Sequence, residues 1–67
     1  MTITYHHFTD DEGNRAFIEW DKGFHPDVRR LLICDETGHT IMDRVYLSEK
    51  SAKAAVKKYM INPVRMD

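Results

Sequence analysis

A chain of 67 residues is one small domain, close to the lower limit at which a hydrophobic core alone sustains a fold. Its composition, 42% hydrophobic and 31% charged with a net charge of −1, excludes disorder and singles out neither a polyanion nor a membrane as partner. The single cysteine, Cys34, excludes an intramolecular disulfide and a multi-cysteine zinc framework, as suits a reducing cytosol.

The first stretch, "MTITYHHF", is rich in β-branched and aromatic residues and reads as a strand. It carries neither a basic leader nor a long apolar run, so secretion and membrane spanning are not expected and a cytoplasmic location is. "TDDEGN" supplies turn formers ending in Gly13-Asn14, and "RAFIEW" resumes as a second strand, closing a β-hairpin. With Ala16, Ile18 and Trp20 toward a core, Phe17 and Glu19 fall on the opposite side of the sheet. "DKGFHPD" follows as a loop punctuated by Gly23 and Pro26.

"VRRLLICDETGHTIMDRVYL" reads as a second hairpin. Leu31 and Ile33 share one strand face, and Ile41, Val45 and Leu47 are expected to share a face on the other strand. "DETG" suits a type I turn with Gly38 in the left-handed position beside a bulge. An alternative stays open for residues 27–34: Asp27 capping a short helix with Val28, Leu31 and Leu32 at helical spacing.

"YLSEKSAKAAVKKYM" is a capped helix. Ser48 is the N-cap, Glu49 sits where the helix dipole favours an anion, and Ala52, Ala55, Val56, Tyr59 and Met60 form the expected inward face. Asn62-Pro63 ends it, and the tail "VRMD" is long enough only for a brief edge strand. The expected fold is therefore α+β: a single domain over residues 1–67, with an antiparallel sheet of three to four strands in two β-hairpins and one C-terminal α-helix packed on one face. A core of this size supplies no more than about 3–5 kcal/mol, so a partner or a second copy would add to its stability.

Chemistry-bearing residues are scattered. His6 and His7 are adjacent and point to opposite faces of a strand, while His25 and His39 lie in a loop and a turn, so no metal site is expected. Asp35 and Glu36 beside Cys34 repel a thiolate, which favours a buried structural cysteine. The pairs within Asp10-Asp11-Glu12 sit on a turn expected to be solvated, without the desolvation that separates a general acid from a base. Three dispersed glycines form no phosphate cradle. No enzyme activity and no cofactor are expected.

Net charge conceals an asymmetry. Residues 1–27 hold six acids against Arg15 and Lys22, a balance of −4, and residues 28–67 hold eight bases against five acids, a balance of +3. Phe17, Trp20 and Phe24 form the densest aromatic group. Exposed, Phe17 and Phe24 would anchor a protein partner, with Arg29 and Arg30 as flanking charges; a shift of register or a bulge would bury both rings instead. On the helix, Lys50, Lys53 and Lys57 share a stripe with Lys58 beside it, an arrangement suited to a phosphate backbone but equally to the wet face of an amphipathic helix.

From "LLICDETGHTIMDRVYLSEKSAKAAVKKYM" onward the chain resembles small domains that pack one helix across a three-stranded sheet. These include the DNA-binding domains of plant ethylene-response factors and the arm-binding domains of phage integrases. The resemblance rests on "DETGH", "TIMDRVYL" and the "S-x-x-x-A-x-x-A" helix start. It implies a sheet that enters a groove of DNA, with Arg29, Arg30 and Arg44 as its readers; the stripe of Lys50, Lys53 and Lys57 would add backbone contacts on the separate reading of the helix. The acidic first hairpin and the lack of net positive charge depart from that pattern and disfavour nucleic acid. The chain is also similar to small phage-encoded inhibitors of host machinery, through a "Y-x-S" step into an alanine-containing helix, which implies binding and blocking a host protein. The leading expectation is thus a protein-interaction module, with a nucleic-acid-binding domain as the alternative and homodimerisation compatible with both.

Overall fold

The computed structural model describes residues 3–21 and 27–66, with the backbone alone at Ile3, Thr4 and Asp21. Five strands and one helix follow in chain order: β1 (Ile3–Thr9), β2 (Arg15–Asp21), β3 (Arg29–Cys34), β4 (Thr40–Tyr46), α1 (Glu49–Tyr59) and β5 (Val64–Arg65). The fold is α+β, one antiparallel sheet in the order β4-β3-β2-β1-β5 with a C-terminal helix on one face. Residues 29–34 are strand, so the capped-helix alternative for this stretch does not hold. The sheet has one strand more than the three to four expected, because the tail pairs with β1 through Phe8–Arg65 and Thr9–Val64.

Each turn follows from local chemistry. Asp35 Oδ1 accepts hydrogen bonds from the Thr37 and His39 N–H groups at 2.9 Å each, and Gly38 takes φ +89°, the left-handed value the second hairpin needs. In the first hairpin Gly13 takes φ +82°. Ser48 caps α1 by accepting from the Ser51 N–H, and Met60 ends the helix.

The core lies between α1 and the sheet. Ala16, Ile18, Leu31, Ile33, Ala52, Ala55, Val56 and Met60 are buried, with Phe8, Trp20, Met42 and Tyr46 packed around them. Strand alternation produces this in β2 and β3: Ile18 stands opposite Leu31 and Ala16 opposite Ile33, all turned to the helix.

Three apolar residues expected to share a strand face lie in solvent, and one helix residue expected to face inward lies there too. Ile41, Val45 and Leu47 are exposed, at 57%, 60% and 81%. A register shift at Ile33/Cys34 puts Met42 opposite Ile33 and Thr40 opposite Cys34, leaving Ile41 as the extra residue and turning Met42 and Tyr46 to the core. Tyr59 is not an inward residue either: it is 46% exposed, with the Lys58 ammonium 5.4 Å from its ring centre. Cys34 is half-buried rather than buried, its Sγ 3.9 Å from Thr40 Oγ1.

Candidate functional site

The helix covers one face of the sheet; no described element covers the other. Registers across β1 to β4 fix what this open face displays. One row runs Tyr5, Glu19, Arg30, Val45 and the next His7, Phe17, Leu32, Asp43. Aromatic rings cluster at the β1–β2 side: His7 stacks on Phe17 with centroids 4.7 Å apart and 8° between planes, and Tyr5 meets Phe17 edge-on at 6.1 Å. Toward β4 the patch reaches half-buried Leu32, and exposed Val45 stands beyond it, opposite Arg30.

A charged pair lies between Leu32 and Val45. The Arg30 guanidinium donates from Nε to Asp43 Oδ1 at 2.9 Å and from Nη2 to Asp43 Oδ2 at 2.6 Å, a two-pronged contact between adjacent strands. The hydrogen bonds from Arg30 hold the Asp43 carboxyl below its ordinary range. Both partners are about half exposed, so the contact orients Arg30 more than it stabilises the fold.

On the covered face a second polar cluster closes the sheet end beneath the start of α1. Glu49 Oε1 lies 3.4 Å from His6 Nε2 and 3.8 Å from Arg29 Nε, and Glu49 Oε2 lies 3.6 Å from Lys53 Nζ. Arg65 donates to His6 Nδ1 at 2.7 Å. Trp20 packs between the Arg29 guanidinium, 4.4 Å from its ring centre, and the His6 ring at 4.9 Å. Partial burial acts to raise the Glu49 carboxyl, and the charges of Lys53, Arg29 and His6 outweigh it, holding the group below the usual range. His6 and His7 do lie on opposite faces, and among the described residues no cluster of His, Cys, Asp and Glu is arranged to hold a metal.

The residues singled out from the sequence therefore divide. Phe17 and Arg30 belong to the open face, whereas Trp20 and Arg29 belong to the helix-side cluster, and Phe24 lies outside the described residues. Arg44 stands opposite Leu31 on the helix side, so Arg29, Arg30 and Arg44 do not share one face. Lys50, Lys53 and Lys57 line a shallow depression on the outer surface of α1 together with Glu49 and Ala54. Sequence reasoning missed Tyr5, His7, Leu32 and Val45. The signal was available in principle, since once the "TDDEGN" turn fixes the hairpin register, alternation carries Tyr5 and His7 to the side of Phe17.

Compared with known proteins, the chain matches no family model, no curated sequence and no solved structure.

Proposed function

We propose that the chain is a non-enzymatic protein-interaction module that docks a partner protein against the open face of its sheet. One observation carries this reading: Tyr5, Phe17 and Leu32 form an aromatic and aliphatic patch without a covering element among the described residues, closed on its β4 side by an oriented Arg30–Asp43 pair. Apolar strips rimmed by polar groups mark association surfaces, and rigid aromatic rings make effective anchors because they lose little conformational freedom on binding. The rim charges serve chiefly to steer encounter and fix orientation. Following the likeness to small phage-encoded inhibitors, the module acts by occupying and blocking a surface of a host protein.

The test is a nuclease-treated pull-down from the native host with the wild-type chain and two variants that spare the core. Phe17→Ser and the pair Leu32→Ser with Arg30→Glu are each expected to lose the captured protein while keeping the circular dichroism spectrum of the parent. Capture of the same protein at undiminished yield by both folded variants would refute the reading.

A further inference from the structure

On the side away from β5 the sheet ends at β4, whose Met42 and Tyr46 pack against the core. β4 has one neighbour among the described strands, β3, so the N–H and C=O groups along its outer side point away from the sheet. Next to that edge, on the helix side, a groove of about 360 Å³ runs between β4 and α1, lined by Arg44, Tyr46, Ser51, Ala55, Lys58 and Tyr59 among others. Its charged lining residues are both cations, and its aromatic ones are both tyrosines. Tyr46 is half-buried against the core, and Lys58 sits over the Tyr59 ring, so the groove wall is partly pre-arranged.

We infer that this edge and groove bind an extended acidic segment of a partner protein, added to the sheet as a sixth strand beside β4. A strand laid against β4 satisfies the outward backbone groups and sends alternate side chains into the groove. Those side chains meet Arg44 and Lys58, which favour carboxylates, and the tyrosine hydroxyls, which donate to them. Side chains of the opposite parity emerge on the open face beside Val45, which is 60% exposed and favours an apolar neighbour. The recognised pattern is thus acidic and apolar in alternation. A second copy of this chain fits less well, because the groove-side residues of its own β4 are Met42, Arg44 and Tyr46, which bring a cation where an anion is required. Single-stranded nucleic acid would match the cations and rings but has no peptide backbone with which to pair the edge.

The surface adjoins the open face only at Val45, and its test acts on Arg44 and Lys58 on the helix side, so it is independent of the proposal centred on Phe17. The probe is a capped, fluorescently labelled peptide alternating Glu and Val, titrated with the full chain at low ionic strength and read by anisotropy. Controls are the same peptide with Lys for Glu, the same peptide N-methylated at alternate residues so that it cannot pair as a strand, and a short oligothymidylate. Saturable binding of the Glu-Val peptide alone is expected, weakened about fivefold or more by Arg44→Glu or Lys58→Glu and unchanged by Phe17→Ser. Both charge reversals fall on exposed side chains, and each variant is checked for the parent melting curve. No binding up to about 1 mM, the ceiling for a weak specific contact, would overturn the inference. So would equal binding of the Lys or N-methylated peptide, or tighter binding of the oligothymidylate. Self-association of the chain abolished by the same two substitutions would assign the edge to a second copy instead.

Discussion

Asp10 accepts at both carboxylate oxygens: from the N–H groups of Glu12 at 3.0 Å and Asn14 at 2.8 Å on Oδ1, and from Asn14 Nδ2 at 3.0 Å and the Ile61 N–H at 3.3 Å on Oδ2. Its neighbour extends the join, since the Asp11 N–H donates to the Ile61 carbonyl and Asn62 Nδ2 donates to Asp11 Oδ2. The acidic turn that reads as solvated in the sequence is thus a clasp on the segment leaving α1. Nothing local announces it, because Ile61 lies 51 residues further along the chain. Asp10→Ala leaves several of these donors unmatched and is expected to cost about 1–2 kcal/mol, the usual worth of a charged cap. That is a large share of the stability available to so small a core. Urea denaturation checks it: an unchanged midpoint would show that water replaces the carboxylate without loss. Asn62, at φ +51°, takes a left-handed conformation that asparagine tolerates better than most residues, which fits its place in this clasp.

At the level of elements, legibility followed how much of a pattern is set within the element itself. β2, β3 and the start of α1 were readable because both sides of each pattern are local: alternation divides Phe17 from Ile18 and Leu31 from Leu32, and Ser48 marks the helix cap. β4 was readable as a strand, but which of its faces meets the helix was not. As an edge strand it buries little on either side, and one extra residue at the register shift beside Cys34 reverses the parity of all that precede it. The adjacent leucines of β3 make the facing measurable. Leu31 is fully buried against the helix and Leu32 half-buried on the open face. Leu31→Ala is expected to cost about 2–4 kcal/mol and leave much of the population unfolded at room temperature, whereas Leu32→Ala should cost about 1 kcal/mol or less. Equal effects in chemical denaturation would contradict the register given for β2 and β3.

For the molecule as a whole, the division of charge along the sequence is only partly a division in space. The acids of the first hairpin clasp the tail, Glu49 gathers His6 of β1, Arg29 of β3 and Lys53 of α1, and Asp43 holds Arg30, so acids from both halves of the chain sit beside bases or donors. Asp10, Asp35, Asp43 and Glu49 are each held below their ordinary values. In Asp35 the Thr37 hydroxyl is the main donor, and in Asp10 hydrogen bonds outweigh a burial that acts the other way. A carboxyl whose pKa is lower in the folded than in the unfolded chain adds stability above its unfolded pKa and loses it as pH falls through the folded value. All four act in the same direction, so stability should hold level above about pH 5 and decline through and below about pH 4. The decline is deepened by charge: with the carboxyls neutralised, ten lysines and arginines remain positive on a small surface. Thermal melts followed by circular dichroism from acid to neutral pH are expected to show the midpoint falling steeply below about pH 4. Added salt should restore part of the loss by screening the repulsion, but not the part due to hydrogen bonds made by ionised carboxylates. A midpoint independent of pH over this range would mean that these carboxyls titrate alike in the folded and unfolded chain, and that the clasp at Asp10 and the turn at Asp35 contribute nothing through their charge.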